Sequence, residues 1–457
     1  MPQINPNIFR AYDIRGLVDQ DLHPESVGLI ARGFARMVRD AGGRRVVLGR
    51  DCRTSSTVFR GVFRDALNAS GIDVVDVGVV PTPLTYFGAH VLDVDGLVMI
   101  TGSHNPPEYN GFKIGVGRTT LHGDEIQRLL GIVQRGDFVE GSGTTEEIDL
   151  VSRYVDHVKG HLKMGPRRLK AVVDAGNGVG GEVARRLYEA LGVETIGMYL
   201  EPDGTFPNHH PDPTVEENVA ELRVRTKAEG ADLGIAFDGD ADRIGVVDEK
   251  GNILWGDQLM ILYSRAVLRE EPGSTIVGEV KCSQTMYDDI ARHGGTPVMW
   301  KAGHSLIKAK MKETNASLAG EMSGHIFFRN RWFGFDDGVY AGARLLEILS
   351  HVQEPLSALL ADVPKTFSSP EIRRDAGTDE RKFALVEKAT AHFRARGHEV
   401  VDVDGVRVIF PDGWGLVRAS NTQPILVLRY EAQTPERLEE IRRLIEGTLA
   451  ELEEKVA

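Results

Sequence analysis

The amino-acid sequence predicts an α/β protein made of repeated units with a smaller α+β unit after them, and three features carry that expectation. At 457 residues the chain is too long for one core, and about 150 residues per domain gives three or four domains. Apolar runs of strand length alternate with apolar positions at helical spacing, the pattern of a mostly parallel sheet covered on both faces. The alternation restarts near Leu169 and again near Gly256. After about Lys365 it gives way to short strands between turns, the mark of antiparallel hairpins.

In chain order, residues 9–16 mix two arginines with aromatic rings and read either as an arm docked on a domain or as part of a site. From Pro24, which suits a first helical turn, Val27, Ile30, Phe34, Met37 and Ala41 keep helical spacing until Gly42-Gly43. Residues 46–48 read as a strand, and the next helix is expected to bury Val58, Val62 and Leu67. Residues 72–80 form a further strand closed by Pro81-Thr82-Pro83, and a short helix leads to the apolar strand 97–100. Residues 136–145 mark an excursion before the second unit, whose first helix is expected over 146–161. The strand 169–173 ends in a glycine-rich turn, 174–180, that lacks G-x-G-x-x-G and suits tight packing or close approach to a phosphate. Residues 202–213, with His209-His210, are too proline-rich for regular structure and carry no assignable chemistry. Strands follow at 233–237, 275–278, 297–300 and 316–319. In the last unit they fall at 400–403, 406–410, 415–418 and 425–430, before a helix with Thr434 as N-cap, Pro435 in its first turn, and Leu438, Ile441, Ile445 and Leu452 facing inward.

Composition narrows the function. Hydrophobic residues at 41% and charged residues at 26% fit ordinary globular domains, and a net charge of -13 argues against nucleic-acid binding, so any anionic ligand needs a locally positive site. No apolar run approaches the ~20 residues of a membrane span, and residues 1–6 show no signal-peptide pattern. Two cysteines, Cys52 and Cys282, form no C-x-x-C motif or disulfide framework, so a reducing cytoplasm is expected. Fourteen scattered histidines without H-E-x-x-H give little support to a histidine-built zinc site.

Four stretches carry chemistry. The strand 97–100 stops at T-G-S-H-N-P-P, which presents Ser103 at a strand end beside His104, with Lys113 downstream. A rigid serine beside a potential acid or base suits a covalent carrier, although the same residues also make an ordinary turn. The strand 233–237 delivers D-G-D-A-D-R, in which Asp238, Asp240 and Asp242 alternate with residues small enough to let the chain curl around a cation such as Mg²⁺. An EF-hand is excluded, because Arg243 stands where that loop needs glycine and a strand precedes it. A solvated acidic turn is the other reading, but crowding three like charges without a cation is costly. In G-E-M-S-G-H, an extended chain would put Glu321, Ser323 and His325 on one face, suited to sugar hydroxyls or to a plain surface cluster. In R-A-S-N-T-Q-P, Arg418, Ser420, Asn421 and Thr422, with Arg429 downstream, make a phosphate cradle.

With T-G-S-H-N-P, D-G-D-A-D-R, G-E-M-S-G-H and R-A-S-N-T in that order, the whole chain closely resembles the α-D-phosphohexomutases, in particular the bacterial phosphomannomutase/phosphoglucomutase branch. The resemblance implies three topologically similar mixed-sheet α/β domains and a C-terminal α+β domain around a central cleft, with divisions expected at 1–148, 149–252, 253–365 and 366–457. It implies that Ser103 is the phosphoserine, that Asp238, Asp240 and Asp242 hold Mg²⁺ with an oxygen at Ser103, and that Arg243 stabilises the moving phosphoryl group. Lys113 and His104 become the candidate acid/base and positioning groups, and a lysine among arginines and a metal is expected to have a lowered pKa. Tyr12, Arg15, Lys281 and His304 would line the cleft, Glu321, Ser323 and His325 belong to the sugar loop, and Arg418, Ser420, Asn421, Thr422 and Arg429 hold the non-reacting phosphate. The implied activity moves a phosphoryl group between the 1- and 6-positions of mannose or glucose phosphates through a hexose 1,6-bisphosphate, which also serves as activator. The expected partners are small-molecule sugar phosphates, with no nucleic acid or membrane, and the protein is expected as a monomer or weak homo-oligomer. Alternatives are phosphoglucosamine mutase, whose sugar loop typically carries glutamine where Met322 stands, a Mg²⁺-dependent sugar phosphatase, and a non-catalytic sugar-phosphate- or Ca²⁺-binding protein.

Overall fold

The computed structural model describes residues 4–420 and 424–453. Its first three sheets share one strand order. In the first, Asp73–Val79, Arg45–Arg50 and Gly96–Ile100 run parallel, and Tyr109–Val116 returns antiparallel beside Gly96–Ile100. The second repeats this with Glu194–Met198, Lys170–Asp174 and Leu233–Phe237 followed by the antiparallel Ile244–Asp248. The third does so with Thr296–Trp300, Thr275–Glu279 and Leu318–Gly320 followed by Ile326–Phe328. Each sheet therefore places its middle strands where both faces are buried, which is why those strands read as unbroken apolar runs. Each also makes one reversal at the carboxyl end of its third parallel strand, and those three reversals are the Ser103, Asp238 and Glu321 loops.

The fourth sheet is antiparallel throughout, in the order Phe367–Ser368, Ile425–Ala432, Gly413–Ala419, Val406–Phe410 and Glu399–Val401, with Ile372–Asp375 also paired to Ile425–Ala432. The last helix, Pro435–Glu453, buries Ile441, Ile445 and Leu452 as its spacing predicts, and Thr434 Oγ1 accepts from Arg437 N. One apolar core runs from Val47 and Leu97 through Val173 and Ile235 to Ile276 and Leu318, joining the first three sheets. The fourth has its own core and meets the third through Val280, Trp414 and Leu416. Arg407, fully buried, stacks 3.8 Å over Trp414 and donates to the carbonyls of Val280 and Cys282 at 2.7 and 2.8 Å. Among the described residues no helix is long and apolar enough to cross a membrane.

Three local expectations are corrected. The helix Thr54–Ala69 buries Ser56, Phe59, Phe63 and Leu67, whereas Val58 is 54% exposed and Val62 lies at the core's margin. Steps of three and four residues through two phenylalanines bury more apolar surface than the neighbouring valine stripe, and both rings reach Phe112, at 6.1 and 5.2 Å. The helix expected from 146 begins at Leu150, capped by Asp149, whose carboxylate accepts from Ser152 N. Thr145–Glu147, polar and exposed, instead pairs as an edge strand with Asp73–Val79. Residues 321–324 form a tight turn rather than an extended run: Gly324 adopts φ +90° and its N–H donates to Glu321 O.

Residues 202–213 are irregular as expected, and they are pinned. His209 Nε2 lies 3.1 Å from the buried Asp174 carboxylate, and its Nδ1 3.0 Å from His210 O. Burial alone would lower the His209 pKa, but the hydrogen bond and charge of Asp174 outweigh it and raise it.

Two outcomes follow from this packing. Phe63→Ala should shift the first domain's unfolding in urea by about 3–5 kcal/mol, and Val58→Ala by less than about 0.5 kcal/mol; similar losses would return the helix to its expected face. Because a raised histidine pKa stabilises below the unfolded pKa and is lost as pH rises through the folded one, the stability gap between the parent and His209→Gln should shrink from pH 5.5 to pH 8.5. A gap independent of pH would show that the Asp174 pair is not what His209 contributes.

Candidate active site

Ser103 follows the strand Gly96–Ile100 in the left-handed region, at φ +49°, and is 4% exposed. Its Oγ donates to Asp238 Oδ2 at 2.9 Å and lies 3.1 Å from His104 Nδ1, while its N–H donates to Thr101 Oγ1 at 2.8 Å. Burial, with Arg243 and Arg15 nearby, pushes the His104 pKa well below the histidine range, so its ring is neutral. Arg15 donates to Gly102 O at 2.7 Å and pairs with Asp13.

The second sheet's reversal sits directly against this loop, since a Cβ on Gly239 would lie 2.5 Å from Ser103 O. Asp238, Asp240 and Asp242 are fully buried, and each offers an oxygen within 4.8 Å of the others. Lys113 Nζ bonds Asp240 Oδ2 at 2.8 Å and also Asp242 Oδ2, and Thr82 Oγ1 donates to Asp240 Oδ2. Asp240 Oδ1 and Asp242 Oδ1 are buried with no hydrogen-bond partner. Two orphaned carboxylate oxygens in a ring of three carboxylates fit a hard divalent cation. Burial and the charges of Asp240 and Asp242 raise the Asp238 pKa well above the carboxylate range. Burial would also raise that of Asp240, but Lys113 and Thr82 outweigh it and lower it.

Lys113 departs from expectation. Burial would lower its pKa, yet Asp240 and Asp242 outweigh burial and raise it well above the lysine range. Arg243 N donates to Asp238 Oδ1 at 3.2 Å and its Nε to His325 Nε2 at 2.9 Å. The Glu249 carboxylate, twelfth from Asp238, accepts from Ser357 N and Oγ instead of turning to the aspartates.

Because residues 321–324 turn, the extended alternation expected to align Glu321, Ser323 and His325 does not hold. Glu321 Oε1 accepts from Gly303 N at 2.6 Å, and Ser323 is half-buried. His325 turns to the aspartate loop, with Nδ1 3.2 Å from Asp336 Oδ2 and 3.6 Å from Asp242 Oδ1. The ring of His304 stacks on that of His325 at 5.5 Å and meets Tyr12 edge-on at 5.9 Å, and Tyr12 Oη donates to Ala302 O. Burial, with Lys308 close by, depresses the His304 pKa well below its usual range.

The positive groups expected to grip phosphate gather where the fourth sheet meets these loops. Arg418 Nε donates to Asp404 Oδ2 at 2.9 Å, the same oxygen that accepts from Ala302 N, and Arg429 donates to Lys281 O at 2.8 Å. Lys281 Nζ lies 3.2 Å from Glu371 and 3.7 Å from Glu279. Ser420 is buried at the end of its strand, and Asn421 and Thr422 lie outside the described residues.

Several buried groups escaped the sequence reading. Thr82 orients Asp240, and Asp336 holds His304, His325 and Lys308 at 3.5, 3.2 and 3.1 Å. Neither belongs to a motif with its partners. Only the doubled acid Asp336-Asp337 in an apolar stretch hinted that a charge is buried there.

Models of the phosphoglucomutase/phosphomannomutase family match the chain in four pieces: alpha/beta/alpha domain I over residues 6–140, domain II over 152–251, domain III over 255–367 and the C-terminal domain over 377–447. The chain belongs to the phosphoglucomutase/phosphomannomutase family. A relative from Pseudomonas aeruginosa named phosphomannomutase/phosphoglucomutase is 47% identical over 448 residues, 98% of this chain and 96% of the relative. One from Neisseria gonorrhoeae named phosphoglucomutase is 46% identical over 453 residues, 98% of each. The crystal structure of a phosphoglucomutase/phosphomannomutase family protein from Burkholderia thailandensis superposes with a TM-score of 0.93 at 46% identity, covering 98% of both chains. The three α/β/α domains of the family are the three sheets of shared strand order.

If Thr82 orients Asp240 for a cation, Thr82→Val should weaken Mn²⁺ binding about tenfold or more and Asp240→Asn should abolish it, read from the EPR signal of free Mn²⁺. Unchanged affinity in Thr82→Val would remove Thr82 from the site's second layer.

Proposed function

We propose that this protein is a phosphohexomutase, an isomerase that reversibly moves a phosphoryl group between the 1- and 6-positions of mannose and/or glucose phosphates. The observation that carries this reading is the placement of Ser103 Oγ between the ring of His104 and the buried aspartates, two of which keep unpartnered oxygens. The names of the relatives support mannose and glucose phosphates over a phosphoglucosamine substrate.

Phospho-Ser103 donates its group to a hexose phosphate: a sugar hydroxyl oxygen bonds to phosphorus, the Oγ–P bond breaks, and the hydroxyl's proton ends on Oγ. The resulting hexose 1,6-bisphosphate turns end for end and returns its other phosphate to Ser103 by the reverse step. Of the two groups set to handle the proton, neutral His104 can accept one and protonated Lys113 can donate one. Mg²⁺, held by Asp238, Asp240, Asp242 and an oxygen at Ser103, would balance charge on the phosphoryl group. Arg243, oriented by His325, adds positive charge beside it. Tyr12, Arg15, Lys281 and His304 line the cleft, and Glu321 and Ser323 read sugar hydroxyls. Arg418, Ser420 and Arg429, with Asn421 and Thr422, grip the phosphate that does not react. That grip accepts either end of the sugar, and closure of the last domain excludes water. Hexose 1,6-bisphosphate primes Ser103, and the protein works in the cytoplasm as a monomer or weak homo-oligomer.

Incubation with mannose 1-phosphate or glucose 1-phosphate, Mg²⁺ and a trace of hexose 1,6-bisphosphate should yield the 6-phosphates, and Ser103→Ala should cut the rate by more than about 10³-fold. Absence of product, or turnover undiminished by Ser103→Ala, would overturn the reading; release of inorganic phosphate alone would make the protein a phosphatase.

A further inference from the structure

One buried arginine grips the Ser103 loop from outside the set of groups described above. Arg53 precedes the helix Thr54–Ala69 and is 1% exposed. Its NH1 donates to the carbonyls of Pro106 and Tyr109 at 2.6 and 3.0 Å, and its NH2 to those of Ser103 and Asn105 at 2.8 and 2.5 Å. Its Nε donates to Asp51 Oδ2 at 3.1 Å, and that same oxygen accepts from Gly102 N at 3.0 Å. Asp51 Oδ1 in turn accepts from Arg53 N at 2.9 Å and Ser56 Oγ at 2.5 Å. From Gly102 to Tyr109, five backbone groups hang on one ion pair.

Between the strands Gly96–Ile100 and Tyr109–Val116, Pro106 O also accepts from Tyr109 N, but the carbonyls of Ser103 and Asn105 have Arg53 as their donor, at roughly 1–3 kcal/mol for each one left buried and unpaired. The fit is close. A Cβ on Gly102 would lie 2.3 Å from Arg53 Nε, so only glycine allows the guanidinium under the loop. Ser103, next along, holds φ +49°, a conformation an unbranched polar residue keeps only when its surroundings enforce it.

The guanidinium cannot be a substrate contact. Phe206, from the irregular 202–213 segment of the second domain, places its ring 5.1 Å from Arg53 Cζ, and a Cβ on Gly204 would lie 2.5 Å from Arg53 Cα. The loop of one domain is thus strung on an arginine that a second domain seals.

We infer that Arg53 is the positioning residue of the phosphoryl carrier, fixing Ser103 Oγ in one place for both halves of the reaction. This rests on the proposed role of Ser103. The sugar turns between the two transfers, so the serine is the one reacting group that must occupy the same position in each, and a displacement of about 1 Å costs about 10²-fold in rate. Lysine keeps the charge but gathers its donors at one point, so it cannot span four carbonyls as the planar fork does.

The test compares the parent with Arg53→Lys, using glucose 1-phosphate, Mg²⁺ and glucose 1,6-bisphosphate. Rates are divided by the fraction of chains whose Ser103 becomes phosphorylated, read by intact mass. A positioning role predicts kcat per competent site lower by about 10²-fold, KM within about twofold, and more inorganic phosphate released per product. A merely structural role would lower the competent fraction and the melting temperature but leave kcat per competent site within about twofold, and that result overturns the inference. If Arg53→Lys does not fold, Phe206→Ala, which unseals the guanidinium without removing a hydrogen bond to it, should lower kcat at constant KM; an unchanged kcat overturns the inference equally. A parent protein that neither phosphorylates Ser103 nor isomerises the sugar would overturn both this inference and the function on which it rests.

Discussion

Three carboxylates buried within five residues are the constraint on which the centre of this molecule depends. Asp238, Asp240 and Asp242 are each fully buried, and like charges so placed are not stable without opposite charge or donors brought to them. The chain brings these from two other units. Lys113 and Thr82 come from the first domain to Asp240, and Lys113 also reaches Asp242. Arg243, next to the loop, is steadied by His325 from the third. The contacts that hold the carboxylates together are the ones that hold three domains around one point.

The repeated sheet topology explains why this meeting is possible. Each of the first three sheets turns back after its third parallel strand, and each reversal carries the polar side chains that the strand itself has no room for. Since the three sheets share one continuous apolar core, their reversals are fixed relative to one another. The fourth sheet has a separate core and meets the third through Trp414 and Arg407 and through polar contacts such as that of Arg429 with Lys281 O.

Much of this was legible in the residues because the signals are local. The apolar run 97–100 and the strand-like 233–237 announce buried parallel strands, and a serine or an aspartate immediately after such a run must lie at a sheet's carboxyl edge. What was not legible depends on partners distant in sequence. Val58 and Phe59 both fit a helical stripe, and only Phe112 decides which faces inward. The turn at Gly324 removes the extended backbone that the alternation of three side chains presupposes. The direction of the Lys113 shift is the sum of burial against two carboxylates more than 120 residues away, and no spacing rule contains it. Arg53 reads as a residue ahead of a helix, and its four carbonyl acceptors are visible only once the loop is folded over it.

The central question is whether a phosphate carried on Ser103 is passed to the sugar. Protein carrying ³²P on Ser103, mixed with excess unlabelled glucose 1-phosphate and Mg²⁺ and quenched within one turnover, should show the label leaving the protein and appearing in hexose 1,6-bisphosphate and hexose phosphate. Label that remains on the protein while product forms, or that appears only as inorganic phosphate, would contradict that transfer.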